Sequence, residues 1–362
     1  MGLTACRTPC VRPLSRLFAL RTPLVPGVME FLKLVCQIFN ISNKETGNQK
    51  LPVLCIAPIG PVTEELLRML EQARLLRVFG LQCPHVYGGG AQCTKTLTLR
   101  PSAHYAFDGH ELACEVHGGH VSVRSGSWFA GRRLSLSVLV YIFYLLACRV
   151  SVSAVIRFFD SIKLHRVTVL ALLHDIQVKM WAELRSNHMP TFNPGDELEI
   201  DEMWLNWEAW ESESEPAREQ KWSQGSWVIG LINRARTKLW IECIPNRQRE
   251  TIRSVVDPML RTWLLKRPRI FTDALKTYDY LAHENTHYVI NKVQDGFGVE
   301  KVTFWGNTVK VNVNKVENVW RHLRQHLSHR GAYRHPQNAQ LHIAEFVYNW
   351  YQLDWWQLIR MP

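Results

Sequence analysis

The feature that most limits what this chain can fold into is a change of hydrophobic pattern at the segment SNHMPTFNPGDE, residues 186–197. This segment contains Pro190, Pro194 and Gly195, which interrupt regular elements, and it predicts a linker. Beyond it, the apolar runs predict three strands, a helix, a strand, a helix, a strand and a final helix. These elements are ELEIDEMWL, SWVIGLINR, KLWIECIPN, about Gln248 to Leu265, RIFTD, a helix from Leu275, HYVIN and a helix from about Asn314. The order favours a mixed α/β domain with a five-stranded mixed sheet.

The region before the linker is helical from Leu134 to Leu184. Breaks near 149–151 and 161–164 divide it into three predicted helices, and the long third one begins with His165 and Arg166. A short helix, a tight connection and a longer helix with basic residues at its start are typical of a DNA-binding helix-turn-helix. They are equally typical of a small helical bundle.

The first of these helices, LSLSVLVYIFYLLAC, is apolar enough to raise the question of a membrane span. It has about 15 residues, whereas a helix that crosses a bilayer needs roughly 20. Because Arg149 ends the run, we expect a buried helix and no membrane. An earlier short helix is predicted after Pro61, with Thr63 as its N-cap.

The formal net charge of +11 favours a polyanionic partner, and a basic soluble protein without one is the alternative. The 9 cysteines follow no compact framework, which argues against a disulfide scaffold and favours a reducing compartment.

Before Glu30 the chain has arginines and no acidic residue, as in a mitochondrial transit peptide. An unstructured leader is the interpretation we prefer. The acidic insert EAWESESEPARE, at 208–219, predicts a solvated loop.

Three acidic residues in separate predicted elements are candidates for chemistry. Asp201 lies in the first strand, Asp273 ends the fourth, and Glu317 follows the start of the last helix. Taken singly, they could be a strand-rim residue, an N-cap and part of a capping box. Together they match what two-metal phosphoryl transfer needs, carboxylates that hold two Mg²⁺ or Mn²⁺ roughly 3.5–4 Å apart. Alternation along the strand predicts that Glu202 points away from Asp201 and is no ligand.

The segments IDE, WVIGLINRARTKLWIECIPNRQRETI, FTDALKTYDYL and NKVENVWRHLRQHL resemble the DDE domain of the Merlin superfamily transposases and their bacterial ISXO-type relatives. The resemblance implies an RNase H-like catalytic domain. By position, Asp201, Asp273 and Glu317 correspond to the metal-binding catalytic triad of that family. Asn314 and Trp320 correspond to the asparagine before the glutamate and the aromatic residue one turn after it. Lys292 and Asn312 stand where the family tends to have histidines, and Lys292 could contact phosphate.

The same resemblance implies a zinc ribbon of two Cys-x-x-Cys knuckles upstream of the SVRSGS stretch. In this sequence the first knuckle is CPHV, with Cys83, and the second is CEVH, with Cys114 and His117. A structural zinc site needs four ligands. Either Cys93 or His85 is expected to supply the fourth, and a degenerate ribbon without zinc is the alternative.

Basic residues just beyond Glu317 predict a surface for the DNA backbone. Arg321 and Arg324 lie near one another at helical spacing, and Arg321 is one turn beyond the glutamate. Such side chains hold phosphates without reading sequence. A solvated helix face is the alternative. With His165, Arg166, Lys292 and Asn314 they form the predicted DNA-binding set.

The sequence therefore predicts a DNA transposase that cleaves transposon terminal inverted repeats, joins them to target DNA and assembles as a homo-oligomer on DNA, in the nucleus if the source is eukaryotic. The alternatives are a catalytically silent domesticated DNA-binding protein and an RNase H-like nuclease. The predicted division is a leader (1–60), a short helix with the degenerate zinc-ribbon-like region (61–130), a helix-turn-helix-like region (131–187), the RNase H-like DDE domain (188–335) and a C-terminal helix (336–362).

Overall fold

The structure is a computed structural model, and it describes most of the chain beyond the leader. The described residues are 62–87, 90–102, 104–105, 107–205, 227–260, 268–282, 287–296, 298–302, 308–330 and 338–361. The predictions for the leader and for the acidic insert lie outside these residues.

The chain divides into two compact units. The first comprises Met1–Cys148 together with Asp354–Pro362, and the second is Arg149–Leu353. The boundary falls inside the range 131–187 that the sequence assigned to one region. The finer division into domains stays a prediction.

Two helices and a small sheet build the described part of the first unit. Helix α1 (Glu64–Gln72) begins at the predicted cap, where the Thr63 hydroxyl accepts a hydrogen bond from the Leu66 amide at 3.1 Å. An antiparallel sheet of β1 (Thr98–Pro101), β2 (His110–Ala113) and β3 (His120–Ser122) follows. Helix α2 (Leu136–Ala147) is buried over 11 consecutive residues. The predicted buried helix is thus confirmed.

The SVRSGS stretch has a structural role in the first unit. Arg124 from this stretch forms a buried ion pair with Asp108 and donates hydrogen bonds to the carbonyl oxygens of Arg132 and Leu134. Asp108 in turn accepts a hydrogen bond from the Leu136 amide at 3.0 Å. A charged pair therefore satisfies backbone groups at the start of α2, where a helix has amides without partners.

The second unit opens with two helices, α3 (Val152–Phe158) and α4 (Arg166–Asn187). Between them lie the short 3-10 helix Asp160–Ile162 and Lys163, whose φ of 51° turns the chain sharply. The three helices predicted between Leu134 and Leu184 are therefore confirmed. Their role in binding DNA remains a prediction.

A five-stranded mixed sheet is the centre of the second unit. Its strands are β4 (Glu197–Trp204), β5 (Trp227–Asn233), β6 (Leu239–Ile244), β7 (Arg269–Asp273) and β8 (His287–Ile290), in the order β6-β5-β4-β7-β8. The pairs β4–β5 and β5–β6 are antiparallel, and β4–β7 and β7–β8 are parallel. The predicted five-stranded mixed sheet with β4 at its centre is confirmed, and this architecture is consistent with an RNase H-like domain.

The remaining elements of the second unit surround this sheet. They are α5 (Arg249–Val256), α6 (Lys292–Asp295), β9 (Val299–Val302), β10 (Thr308–Val311), α7 (Asn314–Arg330) and α8 (Ala339–Trp350). The antiparallel β9–β10 pair was not predicted. The helix expected from Leu275 is a 3-10 helix, Lys276–Leu281, and α5 ends at Val256, short of the predicted Leu265. Pro258 explains the early end, because it has no amide to continue an α-helix.

Across the described part of the chain, no helix is both long enough and apolar enough to cross a membrane.

Candidate metal centres

Asp201 and Asp273 meet because they occupy corresponding positions on two neighbouring parallel strands. The β4–β7 ladder pairs Glu199 with Phe271 at its last register position. Asp201 and Asp273 each lie two residues beyond that pair; Asp273 is the last residue of β7, whereas β4 continues to Trp204. Side chains two residues apart share a face of a strand, so the two carboxylates extend from corresponding positions.

A third carboxylate joins them, and it belongs to Glu202. One oxygen each from Asp201, Glu202 and Asp273 lie within 4.8 Å of one another. We call these three residues the acid cluster. The prediction that Glu202 points away is wrong. Since the β4–β7 pairing ends at Glu199, a long side chain three residues later can reach around this side of β4.

Burial and neighbouring charge set the protonation of Glu202. Burial chiefly raises the pKa of Glu202 to about 8; the hydrogen bond from Tyr278 lowers it, and the charges of Asp201 and Asp273 raise it further. The Tyr278 hydroxyl donates this bond from the 3-10 helix after β7. Burial also raises the pKa of Tyr278 well above its usual value, so the phenol stays a donor.

Asp273 also shapes the backbone that follows it. Its Oδ1 accepts a hydrogen bond from the Leu275 amide at 3.1 Å. The sequence left two roles open for this residue, a turn or cap residue and a member of a carboxylate site. Asp273 is found in both arrangements. Its Oδ1 accepts the hydrogen bond from the backbone of the turn, and its carboxylate also belongs to the acid cluster.

Glu317 is not part of the acid cluster, but its helix reaches Asp201. The indole Nε1 of Trp320 donates a hydrogen bond to Asp201 Oδ2 at 3.1 Å. Glu317 is half-buried three residues earlier in α7, and side chains at this spacing are neighbours on a helix. The convergence of Glu317 with Asp201 and Asp273 stays a prediction.

Gly230 makes room for this contact. It pairs with Asp201 across the β4–β5 ladder. A Cβ at Gly230 would lie 2.3 Å from the Trp320 ring. Only glycine therefore lets the indole lie against β5 and reach the carboxylate beside it.

The predicted DNA-binding residues are distributed over the second unit. Exposed are His165 and Arg166 at the start of α4, Asn314 at the start of α7, and Arg321, which donates a hydrogen bond to Asn318. Arg324 is half-buried. Lys292 is the first residue of α6, and its side chain lies outside the described part of the chain. Their contacts with DNA stay predictions.

A second candidate metal centre lies in the first unit. Cys83, Cys93, Cys114 and His117 each offer one donor atom, and these atoms lie within 4.8 Å of one another. We call these four residues the sulfur cluster. Nδ1 of His117 lies 3.4 Å from the sulfur of Cys114 and 3.7 Å from that of Cys83. The open choice for the fourth donor thus falls on Cys93, and the ring of His85 stacks on that of His117 at 4.0 Å between centroids.

Two turns hold the donors of the sulfur cluster. The amide of Cys83 donates to the Lys95 carbonyl, and that of Cys93 donates to the His85 carbonyl, both at 2.9 Å. These bonds pair the two short segments that carry the cysteines. Cys114 and His117 lie in the turn between β2 and β3, closed by a hydrogen bond from the Gly118 amide to the Cys114 carbonyl. Val86, at the position of the missing ligand, is 57% exposed.

The donor set of the sulfur cluster suits a zinc ion. A backbone hydrogen bond from His117, ahead of the other contributions, lowers the pKa of Cys114 to about 6, and thiolate is the form that binds metal. His117 Nε2 is buried and has no hydrogen-bond partner among the described residues. Three sulfurs and one imidazole at these distances fit a tetrahedral structural site.

Comparisons with known proteins agree with the fold of the second unit. A family model described as the ISXO2-like transposase domain matches residues 195–350. This match covers β4 to α8, including all members of the acid cluster. Neither the search of curated proteins nor the search of solved structures finds a match at the significance required.

Proposed function

We propose that the protein is a DNA transposase, or a derivative of one, that cleaves transposon ends and joins them to target DNA, because residues 195–350 match the model of the ISXO2-like transposase domain. One observation carries the proposal: Asp201 in the middle of β4 and Asp273 at the end of the neighbouring strand β7 bring their carboxylates together, inside the segment that the family model matches. Transposase domains of the DDE type need acids at this place for phosphoryl transfer.

The acid cluster fits divalent cations by its chemistry. Its three carboxylates offer hard oxygen donors within 4.8 Å of one another, and such donors suit Mg²⁺ or Mn²⁺. Asp201 and Asp273 would hold the ions, with Glu317 as the third residue of the triad and Glu202 as a further donor. When bound, a pair of such ions activates the attacking oxygen and stabilises the leaving oxygen of a phosphodiester.

The residues around the acid cluster orient its carboxylates. The Trp320 indole holds Oδ2 of Asp201, and the Tyr278 hydroxyl holds Oε1 of Glu202. Hydrogen bonds of this kind fix ligand geometry before a metal arrives. The proton that Glu202 retains at neutral pH lowers the repulsion among three adjacent carboxylates.

The same proposal assigns DNA contacts to two helices of the second unit. In α4, His165 and Arg166 are exposed at the start of the longer helix, where a recognition helix contacts bases. In α7, Arg321 lies on the surface one turn beyond Glu317, where it would neutralise a phosphate near the cleavage site. We further propose that α3 and α4 recognise terminal inverted repeats, that the protein acts as a homo-oligomer, and that it works in the nucleus if eukaryotic.

The sulfur cluster would hold one zinc ion with a structural role. All four tetrahedral positions would be taken by Cys83, Cys93, Cys114 and His117. Catalytic zinc sites keep one position for water, and structural sites do not. The ion would stabilise the turns that carry these four residues, in the manner of a zinc ribbon in which Cys93 has replaced a knuckle cysteine.

A strand-cleavage assay with the full chain tests the proposal. The substrate is a labelled duplex of the DNA that flanks the coding sequence, incubated with Mg²⁺ or Mn²⁺ and a plasmid target. Strand breaks whose 3′ ends become joined to the plasmid are the expected result. Breaks without joining would indicate the nuclease, and binding without breaks would indicate a silent DNA-binding derivative. Asp201→Asn serves as the inactive control.

A further inference from the structure

A buried glutamate of β4 contacts the start of α7 from far away in the sequence. Oε2 of Glu199 accepts hydrogen bonds from the amides of Lys315 and Val316, at 2.7 and 3.2 Å. Glu199 is fully buried and lies on the same strand as Asp201, two residues before it. A helix needs acceptors for its first amides, and here a strand of the sheet supplies them.

Arg234 completes this contact from the end of β5. Its Nε donates to Oε1 of Glu199 at 3.0 Å, and its two terminal nitrogens donate to the carbonyls of Lys310 and Asn312 at 2.8 and 2.9 Å. The guanidinium also lies over the ring of Phe271, 3.5 Å from its centroid. One ion pair therefore holds both the end of β10 and the first turn of α7 against the sheet.

A second contact holds α7 on the other side of Glu317. Trp320 donates to Asp201 and lies against Gly230, as described above. Glu317 follows Val316, whose amide Glu199 accepts, and precedes Trp320 by three residues. The third acid of the proposed triad is thus bracketed by two contacts between α7 and the strands β4 and β5.

We infer that Glu199 is a positioning residue, which holds α7 so that Glu317 acts together with Asp201 and Asp273. This inference rests on the proposed function. A cap from Ser, Thr, Asp or Asn just before a helix would stabilise the helix equally well. A carboxylate 116 residues away instead fixes where the helix lies on the sheet. A buried ion pair is seldom the most stabilising choice for a core, so a positional role explains its presence better than stability does.

The test measures Mn²⁺ affinity by calorimetry in the full chain, counting only the binding that Asp201→Asn abolishes. Glu199→Ala should weaken that affinity roughly 10- to 100-fold, as loss of residues behind metal ligands does. Glu199→Gln keeps one carbonyl oxygen and should restore part of the loss. Glu242→Gln is the matched control, since Glu242 lies on β6 and bonds Trp240 and Arg185 instead of α7. It should bind like the wild type.

A double-variant cycle separates positioning from plain stabilisation. If Glu199 acts through Glu317, Glu199→Ala should weaken Mn²⁺ binding little or not at all in a Glu317→Ala background. Equal losses in both backgrounds would overturn the inference. Hydrogen exchange of the peptide 312–322 should also quicken in Glu199→Ala, independently of any metal. If Glu199→Ala does not fold, Glu199→Gln takes its place in the cycle.

The outcomes distinguish the inference from the proposed function. Wild-type protein that binds no Mn²⁺ and cleaves no DNA would overturn both. Wild-type protein that cleaves DNA while Glu199→Ala and Glu199→Gln keep normal Mn²⁺ affinity would overturn the inference alone.

Discussion

The two candidate metal centres differ in how completely the chain supplies their ligands. The sulfur cluster gathers four soft donors from residues 83–117, a short stretch held by two turns. The acid cluster gathers three hard donors from strands whose acids, Asp201 and Asp273, are far apart in sequence. A closed set of four protein ligands serves structure, whereas an incomplete set leaves positions for substrate. Under the proposed function, the sulfur cluster would hold its ion permanently, and the acid cluster would leave positions open for a substrate.

The two centres also differ in the pKa values of their ligand side chains. Hydrogen bonds lower the pKa of Cys114 to about 6, so its sulfur is charged before a cation arrives. Burial raises the pKa of Glu202 to about 8, so this carboxyl keeps its proton at neutral pH. In the sulfur cluster the backbone hydrogen bond from His85 lowers the pKa of Cys83, but burial and the neighbouring cysteines outweigh it, so the pKa of Cys83 is raised. In the acid cluster, two oriented acids stand beside a third that holds a proton.

The largest effect is expected from loss of the sulfur cluster. Cys93→Ser should remove about one equivalent of bound zinc and abolish most of the stability that zinc gives the first unit, on the order of 10 kcal/mol for structural zinc sites. Zinc content and melting with and without added zinc measure both effects. Cys148→Ser is the matched control, because Cys148 lies at the end of α2 and outside the cluster. Equal zinc content in the two variants would refute the assignment of Cys93.

Loss of a carboxylate from the acid cluster should reduce activity rather than stability. Asp201→Asn should lower strand cleavage by more than the roughly 100-fold that loss of an outer residue costs, because it removes a direct ligand. The affinity for DNA should change little, since other residues make the proposed DNA contacts. The melting temperature should not fall, because asparagine keeps an oxygen for the Trp320 hydrogen bond and removes a charge beside Glu202. Cleavage is followed on a labelled duplex, and DNA affinity by a gel shift. If DNA binding is lost along with cleavage, Asp201 has a structural role. The two centres would then not differ as a structural site and a catalytic site.

The sequence predicted the strands of the acid cluster better than its members. Alternation and linker residues were sufficient for the five strands and for the central place of β4. The same alternation failed for Glu202, because it fixes the face from which a side chain leaves the strand and not where the end of a long side chain lies. Cys93 could be offered only beside His85, since choosing between them requires the pairing of two short segments. Glu199 gave no signal, because its partners in α7 are distant in the sequence.

The raised pKa of Glu202 predicts how stability depends on pH without added divalent ions. Glu202 releases its proton near pH 4.5 in the unfolded chain and near pH 8 in the folded protein. Between these values the folded state binds more protons, so the free energy of unfolding falls as pH rises, by at most about 1.4 kcal/mol per pH unit. This stabilisation is complete below pH 4.5 and lost as pH rises through about 8. Glu202→Gln should flatten the curve measured by urea unfolding, and an unchanged slope would contradict the assignment.

The smallest expected effect is a change in the salt dependence of DNA affinity when single arginines are replaced. It tests which of the two units contacts the DNA backbone. Log affinity for duplex DNA should fall linearly with log salt, by roughly 0.9 per phosphate contact. Arg321 is exposed on α7 near the acid cluster, so Arg321→Ala should lower the slope by about one contact and weaken all sequences alike. Arg324 is half-buried, and Arg324→Ala should lower it less. Arg100, exposed on β1 of the first unit, is the matched arginine, and Arg100→Ala should leave the slope unchanged. A slope that responds to Arg100 and not to Arg321 would assign the DNA backbone to the unit of the sulfur cluster, and the acid cluster would then lack the phosphate contact expected beside a cleavage site.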